Sequence, residues 1–214
     1  VYWRGGIVGD RPFLPFRPPV THAHLVSVDL TDPTAPKITD HRTVDGGAIS
    51  TREYADGTVR VVVTTGYPPL EFVHPGPGRS ARQATQENKE IVREAPIGVW
   101  LPTLRTVGGT PRPLVDCADV RHPQTASGFG TISLLTFPFD DPASLSSTAV
   151  TAAGDLAYSS ADRLYVATTD MLARPLVTEG LPRPGTPVAP SPTTHVHAFA
   201  LDGGRTTYVA SGWF

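Results

Sequence analysis

The segment Thr21-His22-Ala23-His24-Leu25-Val26-Ser27-Val28-Asp29 returns, 173 residues later, as Thr194-His195-Val196-His197-Ala198-Phe199-Ala200-Leu201-Asp202. Between the two copies, Ser133–Asp140 (Ser-Leu-Leu-Thr-Phe-Pro-Phe-Asp) ends in the same way, with Phe137, Phe139 and Asp140 at the places of Phe199, Leu201 and Asp202. After each Asp come a turn and a strand-like run that leads into Gly46, Gly154 or Gly212. The first two glycines open another hairpin, ending in Val63-Thr64-Thr65 or Ala167-Thr168-Thr169. A unit of four short strands, repeated with a fixed internal order, is the pattern of propeller blades.

Turn-bounded runs of alternating or continuous apolar residues place strands at 21–29, 47–52, 58–65, 130–139, 147–153, 156–160, 163–169, 193–201 and 205–212, with a weaker one near 38–44. Asp56-Gly57 and Ala161-Asp162 supply tight hairpin turns between neighbouring runs. Gly 20 and Pro 23 make about a fifth of the 214 residues, which suits many short elements rather than long helices. The expected fold is all-β: a β-propeller segment of about two and a half four-stranded blades. Propellers close with about 4–8 blades, so the remaining blades or another chain are needed to close this one.

One insertion breaks the repeat, over residues 67–105. Inside it, 80–94 reads as the one helix: it is free of Gly and Pro, rich in Gln, Glu, Arg and Ala, and stopped by Pro96. Asn88, Ile91, Val92 and Ala95 fall near one face of this helix, which is expected to lie on the surface. A Pro-rich stretch over 170–192 reads as a long loop.

Several segments together resemble the secreted (C-terminal) β-propeller domain family of archaea and bacteria, in its actinobacterial form. They are Asp29–Pro36, Ser50-Thr51-Arg52, Asn88 with Trp100-Leu101-Pro102, and Cys117 through His122-Pro123 to Gly128–Thr131. Ala157–Ser160 with Arg163–Thr168, Thr194–Phe199 and Tyr208–Gly212 complete the likeness. Trp213-Phe214 departs from the family's usual continuation after the last glycine. The resemblance implies an exported or surface-attached protein. It implies no activity and no catalytic residues.

The candidate site residues are few. His22 with His24, and His195 with His197, are i, i+2 pairs that share a strand face and could chelate a metal. The same parity aligns them with Val26 and Val28, or with Phe199 and Leu201, so packing between blades is the stronger expectation. Arg52 follows an innermost strand and could meet an anion, or else tie blades together through carbonyl groups. Tyr67 and Trp100 flank the insertion, where an aromatic ring could stack on a ligand or pin the insertion down. Cys117 is the single cysteine, so no disulfide forms within the chain. It reads as buried, or as paired outside this sequence, rather than as a nucleophile. Asp29, Asp32, Asp140 and Asp141 read as turn caps, not as calcium ligands.

A net charge of -2 offers no basic footprint for nucleic acid. No run of 18 apolar residues exists, so no transmembrane segment is expected. Phosphate-loop, dinucleotide and nucleophile-elbow motifs are absent, and no cofactor is expected. The chain begins at Val1 without a signal-peptide pattern, so a processed chain or an excerpt is expected. These features point to a non-enzymatic binding or scaffolding module outside the cell or on its surface, with a protein or glycan of the envelope as its partner. Two other functions are open to it: a hydrolase or lyase acting on polysaccharide, and a metal-binding protein that uses the His-x-His steps.

Overall fold

The computed structural model describes residues 21–169 and 193–214. The Pro-rich stretch at 170–192 lies outside the described residues. The chain forms β1 (His22–Asp29), β2 (Lys37–Asp45), β3 (Gly47–Glu53), β4 (Thr58–Thr65), α1 (Ala81–Glu94), β5 (Thr103–Thr106), β6 (Arg112–Pro113) and β7 (Val120–Arg121). It continues with β8 (Thr131–Pro138), β9 (Ser146–Val150), β10 (Leu156–Ser159), β11 (Arg163–Thr169), β12 (Thr194–Asp202) and β13 (Arg205–Trp213). These strands make three sheets, in the orders β1-β2-β5-β6, β3-β4-β8-β9-β7 and β10-β11-β12-β13.

The repeat sets the phase of the sheets. The similar strands β1, β8 and β12 each form a hairpin with the strand that follows, β2, β9 or β13. In the second and third sheets the repeated strand also pairs, on its other side, with β4 or β11. The second and third sheets are therefore full blades, and β1–β2 is the outer half of a first one. Two short strands that the sequence reading did not place, β5 and β6, extend that half-blade outward from β2. A third, β7, runs parallel to β9 on the outside of the second blade. Thus the tail of the expected 67–105 insertion belongs to the first sheet. Two of these strands are only two residues long and β6 includes Pro113, so they carry almost no periodicity and suit an edge.

Two apolar layers join the blades. Ala23, Val44, Leu104 and Leu114 pack against Val59, Val61, Val63, Leu135 and Phe137 between the first and second sheets. Val62, Ile132, Leu134, Val150 and Ala152 pack against Leu164, Val166, Phe199 and Leu201 between the second and third. The middle blade is covered on both faces, so β4 and β8 are buried almost end to end. That is why they read as continuous apolar runs while β1 and β12 alternate. Gly46 makes the crossing from β2 to β3 at φ +105, where a Cβ would lie 2.5 Å from the Thr64 carbonyl oxygen. Any other residue would be both strained and obstructed there.

The helix starts one residue inside the expected boundary. Ser80 caps it in a box with Gln83, and Ala95 ends it. Its inward stripe is Ala84, which is buried, with half-buried Asn88, Ile91 and Ala95. Val92, expected on this face, is 41% exposed. The Asn88 side-chain amide donates to the Val73 carbonyl at 2.9 Å and accepts from the Val73 N–H at 2.8 Å. One side chain thereby fastens the helix to the irregular segment before it.

Candidate functional site

Buried arginines tie successive blades together at the hairpin turns. Arg42 of β2 donates to the Pro142 carbonyl at 2.7 Å and meets the Asp40 carboxylate at 2.7 Å, joining the first blade to the β8–β9 turn. Arg60 of β4 donates to Thr206 Oγ1 at 3.0 Å and to the Gly203 carbonyl, joining the second blade to the β12–β13 turn. The Tyr54 ring lies 4.5 Å below its guanidinium carbon. The tie considered for Arg52 is thus made by Arg60, its ladder partner across β3–β4. Arg52 itself is exposed.

Above the Arg60 tie, a cleft of ≈ 330 Å³ opens between the outer strands of the second and third blades. Ser146, Ser147 and Thr148 from β9 and Thr206, Thr207 and Tyr208 from β13 line it, with the Ser147 hydroxyl turned to the Leu114 carbonyl and the Tyr208 hydroxyl to Ser211. Thr136 and Thr206 bond to each other at 2.8 Å on its floor. Arg121 and Arg205 add two guanidinium groups, and Asp119 one carboxylate. All three charged residues are exposed. The β-propensity of Thr explains this composition, since outer strands that turn a polar face outward are made from such residues. No short motif marks the cleft, because its residues come from strands about 60–90 positions apart in the sequence.

The two His-x-His steps have different surroundings. His195 and His197 are buried, at 4% and 0% exposure. His197 bonds through Nε2 to Ser127 Oγ of the second blade at 3.1 Å and through Nδ1 to Ser211 Oγ of β13. Tyr208 OH closes the set against Ser211 at 2.7 Å. Burial, with a smaller push from His195, lowers the His197 pKa from 6.5 to about 4. His22 and His24 are exposed. His22 Nδ1 lies 3.3 Å from Asp45 Oδ1, and His24 Nδ1 lies 3.1 Å from His41 Nε2. The sequence reading missed His41, which reaches this face by cross-strand register rather than by spacing. No group of three or more His, Cys, Asp or Glu side chains suited to a metal occurs among the described residues.

The remaining candidates stay apart. Tyr67 is 42% exposed and Trp100 is half-buried in a short 3₁₀ turn over Ile97–Trp100. Neither these two nor Arg52 lines the cleft. Cys117 is free and exposed, not buried; it sits in the turn that leads to β7. Asp29 and Asp32 each accept bonds from the backbone and hydroxyl of Thr31 or Thr34. These bonds hold both carboxyl groups below their usual pKa and make turn caps of them.

Among the described residues, three sheets of four or five strands built on a repeated unit and joined face to face, with one α-helix, define a partial β-propeller. The family model of the beta propeller domain matches residues 8–213, and the chain belongs to that family. No curated protein and no solved structure matches it. No helix among the described residues is long and apolar enough to cross a membrane.

Proposed function

We propose that this chain is a non-enzymatic binding module of an exported, cell-envelope protein, and that the cleft between its second and third blades receives an acidic glycan. The observation that carries the reading is the lining: a run of Ser, Thr and Tyr residues with two arginines at a blade junction. Hydroxyl-rich walls exchange hydrogen bonds with sugar hydroxyls, and exposed guanidinium groups select a carboxylate on the ligand. Binding fits the cleft better than hydrolysis does. Glycoside hydrolysis ordinarily uses a pair of facing carboxylates, and Asp119 is the one carboxylate among the lining residues.

Calorimetric titration with size-defined uronic-acid oligosaccharides, beside neutral ones of equal length, tests this reading. The acidic series is expected to bind, and the Arg121→Ala/Arg205→Ala variant to bind it at least about tenfold more weakly. Equal heats from both series, no binding, or an unaffected double variant would refute it.

A further inference from the structure

The first hairpin departs from its counterpart in the third blade at one place that changes its chemistry. In the third blade His197 lies opposite Ser211 and Phe199 opposite Tyr208. In the first, His24 lies opposite Thr43 and Val26 opposite His41. A histidine therefore stands where the third blade has its tyrosine, diagonal across the ladder from the histidine of the repeat. Diagonal neighbours on one face of an antiparallel pair are within reach of aromatic and long side chains. His24 Nδ1 and His41 Nε2 meet at 3.1 Å, with the two rings inclined by 53°. Thr43 Oγ1 stands 3.4 Å from the same nitrogen of His24. His24 is exposed and His41 half-buried, and neither lines the cleft between the second and third blades.

We infer that His24 and His41 form a two-imidazole chelate for a late first-row divalent cation, Cu²⁺ foremost and Zn²⁺ more weakly, bound through Nδ1 of His24 and Nε2 of His41. Imidazole nitrogen suits both ions, and affinity in this series peaks at Cu²⁺. With bonds of about 2.0–2.1 Å, two nitrogens on one ion stand about 2.9 Å apart at a right angle and about 3.4 Å apart at the tetrahedral angle. The observed 3.1 Å lies between these limits, so a small swing of the rings onto a common point suffices and the strands need not move. The frame behind them is fixed. β1 and β2 pair from His22 to Asp29, β5 pairs with the other side of β2, and Ala23 and Val44 of the same strands are buried in the first apolar layer. Ligands held in this way lose little freedom on binding. The His-x-His step itself is not the chelate. Same-face neighbours along a strand are about 7 Å apart, and His22 turns instead to Asp45, whose other oxygen accepts from the Thr103 N–H and hydroxyl. The chain supplies two ligands and water the rest, which leaves the bound ion open to an outside donor.

Calorimetric titration of the full chain with Cu²⁺ in a non-coordinating buffer tests the site, with the nitrogen splitting in the electron paramagnetic resonance spectrum of the wild-type chain as a second readout. One equivalent of Cu²⁺ is expected to bind with two imidazole nitrogens. His24→Gln and His41→Gln are each expected to weaken that binding by at least about tenfold, since either change leaves a single ligand. The double variant is expected to lose little more than either single one, because one ion needs both rings. His22→Gln, which removes the neighbouring histidine of the same strand, is expected to leave the affinity unchanged. Absence of any Cu²⁺ site weakened by both single variants would overturn the inference. So would losses that add in full in the double variant, an equal loss from His22→Gln, or a wild-type spectrum with fewer than two nitrogen ligands.

Discussion

His24 and His197 occupy the same place in the repeat and stand on strands of matching pattern, opposite Thr43 and Ser211. One is exposed on a half-blade; the other is wholly buried against the second blade and bonded to Ser127. The strand sequence gives both histidines the same face and nearly the same cross-strand partner. The difference comes from the neighbouring blade, which supplies the apolar layer around Phe199 and the hydroxyl at Nε2. A repeated motif in a propeller therefore fixes orientation, whereas burial, charge state and role depend on what lies alongside.

The largest effect expected from this contrast concerns Phe199 and Val26. Phe199 is fully buried in the second apolar layer and meets the Tyr208 ring edge-on at 5.7 Å. Phe199→Ala is expected to lower unfolding stability by about 3–5 kcal/mol, the cost of a lost ring and a core cavity. Val26→Ala, at the matching position, is expected to cost under about 1 kcal/mol, because that side chain is already 46% exposed. Urea denaturation of both variants measures the pair. Similar losses would break the contrast, since they would mean that β1 is covered as β12 is.

The legible and illegible parts of the molecule divide along the same line. The repeat alone gave the phase of the blades, because matching strands need matching hairpins, and the Gly- and Pro-free composition of 80–94 with Pro96 behind it bracketed the helix. The sequence also held the parity of both His-x-His steps, but not which pair would be covered. Arg60, His41 and Ser127 carried no local signal. Each acts through a partner on another strand or blade, Gly203, His24 or His197, which spacing along the chain does not show. The polar cleft escaped for the same reason, and the short strands β5, β6 and β7 carried too few residues to display a period.

Titration gives the next effect in size. His197 has a folded-state pKa of about 4 against the 6.5 of an ordinary histidine, with burial as the main cause. Between these values the unfolded chain takes up a proton that the native site refuses, so stability is lost as pH falls from 6.5 towards 4. The loss from this group is at most roughly 3 kcal/mol. His197→Gln keeps hydrogen-bonding capacity without a titrating ring, and is expected to flatten that limb of the stability curve. An unchanged acid limb would show that the buried histidine is not the group that senses pH.

The smallest effect isolates the neighbouring blade itself. Ser127 lies in the loop before β8 and reaches His197 Nε2 at 3.1 Å, while Ser211 and Tyr208 serve the other ring nitrogen from within the third blade. Ser127→Ala removes only the bond that crosses the junction and leaves the strand pairing intact. A loss of about 1 kcal/mol is expected, the usual range for a buried bond whose partner is left without a mate. His24 has no counterpart to Ser127 among the described residues, so the variant also asks whether a crossing hydroxyl is what separates the two histidines. Combination with His197→Gln supplies the answer. If the two losses add in full, Ser127 stabilises the loop by other means; if the double variant loses little more than His197→Gln alone, the hydroxyl acts through the ring.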